Sequence, residues 1–188
     1  MIIGITGKIG SGKSTTAEYL VRNHRYTEYS MASPLKEIGS IFGFSDEQLY
    51  GTQEQKLQIH PHWKISARTF LQKIGTEIFR DAMPKIIPEM KIEKTIWAEL
   101  FKIKYEKEPK SYVISDVRFL DEVDTIKELG GTIIRVVRDN NVSSETKVEH
   151  KHLSELELEQ IKADYVLDNN TLSIEELYKT IDNIVTEL

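Results

Sequence analysis

An apolar run, Met1-Ile2-Ile3-Gly4-Ile5, leads straight into Gly7-Lys8-Ile9-Gly10-Ser11-Gly12-Lys13-Ser14, which satisfies GxxxxGK[ST] at every fixed position. No other stretch constrains the fold as strongly. The pattern requires a buried strand, a turn whose backbone N–H groups converge on an anion, and a helix whose positive dipole end faces the same anion. Thr15 to Val21 supplies that helix, with Ala17, Leu20 and Val21 on one face. The strand–loop–helix order is what separates a phosphate cradle from a chance match. In such a cradle Gly7, Ile9, Gly10, Ser11, Gly12 and Thr15 contribute backbone or hydroxyl contacts. Lys13 reaches the outer phosphates of a nucleoside triphosphate, and the Ser14 hydroxyl ligates the accompanying Mg²⁺.

Strand and helix signals alternate along the rest of the chain. Tyr26–Ser30 reads as a short strand, and Pro34 opens a helix closed by Gly43. Ser45-Asp46-Glu47-Gln48 has capping-box spacing, and the polar, proline-interrupted stretch Thr52 to Lys64 reads as a mobile loop. Ser66 to Met83 reads as one long helix with Ala67, Phe70, Leu71, Ile74 and Ile78 as its apolar stripe. At 100° per residue, Arg68, Gln72, Gly75 and Thr76 then share a separate face. A further helix is expected after Pro88, carrying Ile92, Ile96, Leu100 and Ile103, with Trp97 at the edge of the stripe.

Tyr112 to Asp116 and the β-branched Thr132 to Val137 read as buried parallel strands. Asp139 to Glu155 reads as a polar excursion, Tyr165 to Leu167 as a last strand, and Ser173 caps a final amphipathic helix. This alternation predicts an α/β fold, a parallel sheet flanked by helices, with ligands at the carboxyl ends of the strands. The phosphate loop, Asp116 with Arg118, and Arg138 should therefore share one rim.

At 188 residues one domain with a full core is expected. The absence of cysteine excludes disulfides, thiolate zinc sites and cysteine nucleophiles, and suits the cytoplasm. A net charge of −5 argues against a broad nucleic-acid surface, and no apolar run is long enough to span a membrane. His150 and His152 have no third ligand in view, so a metal site there is not expected.

Asp116 is placed as the acidic Mg²⁺ partner that a phosphate loop requires; the alternative is a strand-end carboxylate capping the next helix. Arg118 is placed to face a transferring phosphoryl group; the alternative is a surface cation paired with Glu122. Arg68, Gln72, Gly75 and Thr76 also fit the solvated side of an amphipathic helix. Trp97 fits a core position and Lys36 an ordinary surface lysine.

Taken together, Gly7 to Thr15, Ser33 to Lys36, the helix ArgxxxGlnxxGlyThr at 68–76, Trp97, Asp116-Val117-Arg118, Gly130 to Arg138, His152 to Glu155 and Asp168 to Asn170 resemble the deoxynucleoside monophosphate kinases of phages and large DNA viruses. The resemblance covers nearly the whole chain. It implies an adenylate-kinase-like P-loop nucleoside monophosphate kinase fold, with ATP and Mg²⁺ as donor and a deoxynucleoside 5′-monophosphate as acceptor. It further implies one kinase domain with an acceptor-binding region at about 33–105. Polar composition and position between strands make 139–155 a candidate lid and Ser33 to Lys64 a candidate flap over the monophosphate, the alternative being two ordinary surface loops. By the same resemblance Arg68, Gln72, Gly75, Thr76 and Trp97 would line the acceptor pocket, with Lys36 near its phosphate. Asp116 and Arg118 would sit between the nucleotides, and Arg138 would border the donor. A homodimer is compatible with it. The departures are Ser33, where many relatives carry Asp or Gly, and the patternless 52–64 stretch. A phosphomevalonate or dephospho-coenzyme A kinase shares fold and loop and is the nearest alternative; a nucleotide switch is disfavoured by the absence of DxxG and AsnLysxAsp.

Overall fold

A computed structural model describes residues 1–138 and 153–188, which form two compact units: residues 1–31 with 101–188, and residues 32–100. The first is built on five parallel strands, β1 (Ile2–Thr6), β2 (Thr27–Tyr29), β3 (Tyr112–Ile114), β4 (Thr132–Val137) and β5 (Tyr165–Asp168), in the order β2-β3-β1-β4-β5. β1 lies in the middle, with Gly4 opposite both Ile114 and Ile133, and all five of its residues are buried. A strand covered on both faces has no polar side to show, which is why β1 reads as an unbroken apolar run.

One face of the sheet packs Ile3, Ile5, Val113, Ile134 and Leu167 against Ala17 and Leu20 of α1 (Lys13–His24) and Leu177, Ile181 and Ile184 of α10 (Ile174–Glu187). On the other, Ile126 of α8 (Leu120–Glu128) comes so close to β1 that a Cβ on Gly4 would lie 2.8 Å from its Cδ1. Because every strand runs the same way, the connections leaving β1, β3 and β4 emerge along one edge, as the alternating pattern predicts. The polar excursion ends in a helix, α9 (Leu153–Gln160); of the lid expected at 139–155, residues 139–152, with both His150 and His152, lie outside the described residues.

The second unit is helical: α2 (Ser33–Ile41), α3 (Asp46–Tyr50), α4 (Gln53–Leu57), α5 (Ala67–Lys73), α6 (Met83–Ile86) and the start of α7 (Ile96–Lys107). Its small core is Phe44, Leu49, Ala67 and Phe70. Three expectations need correction here. Thr52 to Lys64 is not all loop: Thr52 and Gln55 form a reciprocal capping box, with N–H···O distances of 3.3 and 2.7 Å, that starts α4.

Nor is Ser66 to Met83 one α-helix, since Ile74–Ala82 is π-helical and its last turn is closed by a Met83 N–H to Ile78 carbonyl bond. Pro84, with no N–H, cannot serve the Arg80 carbonyl as an α-helix would require. Ile78, expected on the apolar stripe, is half exposed, and Gly75, expected on the polar face, is buried against Leu35 of α2. Finally, Pro88 opens only a short 3-10 turn, Pro88–Met90, and the helix begins at Ile96 after Thr95, whose hydroxyl accepts the Ala98 N–H at 3.3 Å.

Candidate active site at the carboxyl edge of the sheet

The turn after β1 adopts positive φ at Gly7 (146°), Gly10 (79°) and Gly12 (110°). A side chain at Gly7 would run into the Val136 carbonyl, and one at Gly12 would sit 2.6 Å from Asn169 Nδ2. Both glycines are thus required by conformation and by the lack of room. Lys13 Nζ donates to the carbonyls of Gly7 and Lys8, each at 2.7 Å, so the lysine folds back over its own loop. Burial, and then the Arg118 guanidinium, lower its pKa to about 8, with Asp116 pulling the other way. The Ser11 hydroxyl is buried and has no hydrogen-bond partner among the described residues, although such groups are nearly always satisfied. A loop with a close-approach backbone, a buried unspent hydroxyl and a desolvated ammonium suits a phosphate anion. Ser14, exposed at the first turn of α1, and half-buried Thr15 complete the cradle.

Asp116 follows β3 and does not cap the next helix. Its Oδ2 accepts the Ser30 hydroxyl at 2.7 Å and its Oδ1 the Met31 N–H at 2.8 Å, tying the ends of β3 and β2 together. With both oxygens engaged by protein, the carboxylate is better suited to hold a hydrated Mg²⁺ through water than to displace that ion's shell. Arg118 is exposed, and its guanidinium makes no hydrogen bond to any described residue. The expected alternative, an ion pair with Glu122, does not form: the Glu122 carboxylate is buried and accepts the backbone N–H groups of Arg118 and Phe119. Lys13, Asp116 and Arg118 therefore act on one another electrostatically at the same edge.

Arg138, exposed past the end of β4, lines a cleft of about 170 Å³ together with Gly7, Lys8, Arg135 and Glu159. Sequence reasoning missed Arg135 and Asn169. Arg135 donates from its Nη2 to the carbonyls of Leu158 and Ile161 at the end of α9. Asn169 donates to the Ser11 carbonyl at 2.9 Å and closes over Gly12. Its place just past β5 is the available signal, because the ends of β1, β3 and β4 on this edge each carry a candidate residue.

The remaining candidates lie in the helical unit. Arg68 is exposed on α5 and donates to Gln53 Oε1 at 2.7 Å, while Gln72 is exposed and Thr76 half-buried. Gly75 is buried, with room for a Cβ only 2.7 Å from Leu35 Cδ2. Lys36 Nζ lies 4.6 Å from the Tyr50 ring centroid. Trp97 is buried beside Phe79, ring centroids 5.3 Å apart, in the core position weighed from the sequence. Among the described residues, no helix is long and apolar enough to cross a membrane.

A family model for deoxynucleotide monophosphate kinase matches residues 41–181, which begins beyond the phosphate loop and is thus independent of it. The chain is 42% identical over 193 residues to a candidate deoxynucleotide monophosphate kinase of Acanthamoeba polyphaga mimivirus, covering 98% of this chain and 96% of that protein. It is 27% identical to the deoxynucleotide monophosphate kinase of Escherichia phage RB69, over 90% of this chain and 64% of the phage enzyme. Among solved structures, shikimate kinase from Aquifex aeolicus superposes with a TM-score of 0.50 at 19% identity over 100% of this chain and 97% of that one, a likeness of P-loop kinase fold alone. The phosphate loop, the parallel kinase sheet and the match across most of the sequence lead to one conclusion: the chain belongs to the deoxynucleotide monophosphate kinase family and is a nucleotide monophosphate kinase.

Proposed function

We propose that the chain transfers the γ-phosphoryl group of ATP, with Mg²⁺, to a deoxynucleoside 5′-monophosphate. The observation that carries this reading is the grouping of Lys13, Asp116 and Arg118 at one edge of the sheet, next to a loop that only glycines can form. The acceptor of such a reaction is already an anion, so no strong base is needed. Electrostatic repulsion is the obstacle, since unit charges in contact interact by about 4 kcal/mol at an effective dielectric near 20.

The donor phosphates would be held by the N–H groups of Gly7 to Thr15 and by Lys13, which would leave the Gly7 and Lys8 carbonyls for the stronger charge-assisted contact. Ser14, and Asp116 through water, would hold Mg²⁺, which supplies charge neutralisation between the outer phosphates. Arg118 would stabilise the charge that develops on the transferring group, and Arg138 would border the donor. The helical unit would read the acceptor: Arg68 and Lys36 at its phosphate, Gln72 and Thr76 at the rest of the nucleotide. Gly75 and Trp97 would shape that surface from beneath.

Coupled ADP-release assays with Mg-ATP across deoxy- and ribonucleoside monophosphates test this reading. ADP release should depend on a deoxynucleoside monophosphate and match diphosphate formation one for one. Release at the same rate with no monophosphate present would overturn it.

A further inference from the structure

Arg118 stands in the short connection between β3 and α8, and every backbone N–H from Val117 to Leu120 is accounted for. Val117 donates to the Ile5 carbonyl of β1 at 3.1 Å, which ties the connection to the strand that feeds the phosphate loop. Arg118 and Phe119 both donate to Glu122 Oε2, at 2.7 and 3.1 Å. Leu120 donates to Glu157 Oε2 of α9 at 3.1 Å. Two of the four tethers thus end on one carboxyl oxygen.

Glu122 is 3% exposed. Glu122 is the third residue of α8 and accepts the N–H of Phe119, the residue before that helix, as buried Gln48 does for Ser45 at α3, so that bond is ordinary capping. Capping does not account for the second and shorter bond, from the Arg118 N–H one residue further out, at 2.7 Å. Burial fixes its position, and the atom it fixes most closely is the amide nitrogen of Arg118.

We infer that Glu122 is a positioning residue for phosphoryl transfer: it clamps the backbone at Arg118 so that the guanidinium is presented to the reacting phosphates. This rests on the reading of Arg118 given above. Burial pushes the Glu122 carboxyl up to about 8, with the Asp116 carboxylate adding to the rise and the two N–H donors opposing it. Both N–H groups end on the same oxygen, so what the clamp requires is one acceptor oxygen at a fixed reach, which an amide of the same length also supplies.

That requirement yields a pair of conservative variants with opposite outcomes. Glu122→Gln keeps the reach and removes the ionisable group; Glu122→Asp keeps an ionisable carboxyl and draws the oxygen back by one methylene. Glu122→Gln should stay within about threefold of the wild-type kcat, while Glu122→Asp should lose between about tenfold and 10²-fold in kcat, the range expected for a misplaced catalytic group. KM for both substrates should stay within about twofold in each, because the clamp serves the transition state. Amide exchange at Arg118 and Phe119 should accelerate in Glu122→Asp and not in Glu122→Gln.

In an Arg118→Ala background, neither change should alter kcat further by more than about twofold, since residues acting through one another are not additive. The inference is overturned by Glu122→Asp matching wild type, by Glu122→Gln being as impaired as Glu122→Asp, or by the Asp effect persisting in full without Arg118. A loss of about tenfold or less in Arg118→Ala itself would instead remove Arg118 from the chemistry, whatever Glu122 does.

Discussion

The two units hold their candidate residues in different ways. In the sheet-based unit the site is fixed by backbone: three positive-φ glycines, Lys13 on two loop carbonyls, Asp116 bridging two strand ends, and Glu122 gripping consecutive amides. In the helical unit the candidates are side chains on short helices, with Arg68 steadied by Gln53 and Lys36 resting over Tyr50. A site made of main chain tolerates little change, because its glycines and strand ends cannot be exchanged one for one. A site made of exposed side chains can be altered residue by residue. That contrast suits an enzyme in which the chemistry is fixed and the choice of acceptor is adjustable.

The largest test of the contrast is loss of a phosphate-facing cation from the rigid unit. Lys13→Ala and Arg118→Ala should each cost about 3 kcal/mol of transition-state stabilisation, or 10²-fold or more in kcat. For Lys13→Ala the fall in kcat should greatly exceed any loosening of ATP binding measured by calorimetry; a larger change in affinity than in turnover contradicts its role.

Glycine substitutions sharpen the comparison at the next level. Gly12→Ala forces an L residue to φ 110° against Asn169 and should abolish measurable nucleotide binding in a thermal-shift titration. Gly75→Ala meets only the flexible end of Leu35, so it should lower stability by about 1–2 kcal/mol and leave ATP binding intact. Comparable loss of ATP binding in both would erase the proposed difference.

A test confined to the sheet-based unit concerns pH. Glu122 has a folded-state pKa raised from 4.5 to about 8, so between those values the native state binds more protons than the unfolded chain. Its contribution to stability therefore falls as pH rises through that window. Glu122→Gln should remove this component: denaturant midpoints of wild type should drop relative to the variant from pH 5 to pH 8. Parallel curves would show that Glu122 ionises normally.

The same contrast decides what the sequence made legible. Gly7 to Ser14 demanded its own structure, since no other fold rewards that spacing, and the strand ends that follow obeyed the parallel-sheet rule, so the sheet and its rim were readable. The helical unit depends on helix phase and on neighbours that spacing does not show: a π-helical segment carries Ile78, which is half exposed, and Leu35 of α2 covers Gly75. Gln53 was hidden because Thr52 to Lys64 was read as loop, although the Thr52–Gln55 capping signal was present. Glu122 was considered only as an ion partner for Arg118. Its real partners are backbone amides, which sequence spacing does not display.

The division of labour is tested most directly by KM for each substrate in Arg68→Ala. The proposed account predicts that KM for the deoxynucleoside monophosphate rises by about tenfold or more while KM for ATP stays within about twofold, as expected for loss of one charged contact to a bound phosphate. Equal increases for both substrates, or an increase for ATP alone, would contradict it.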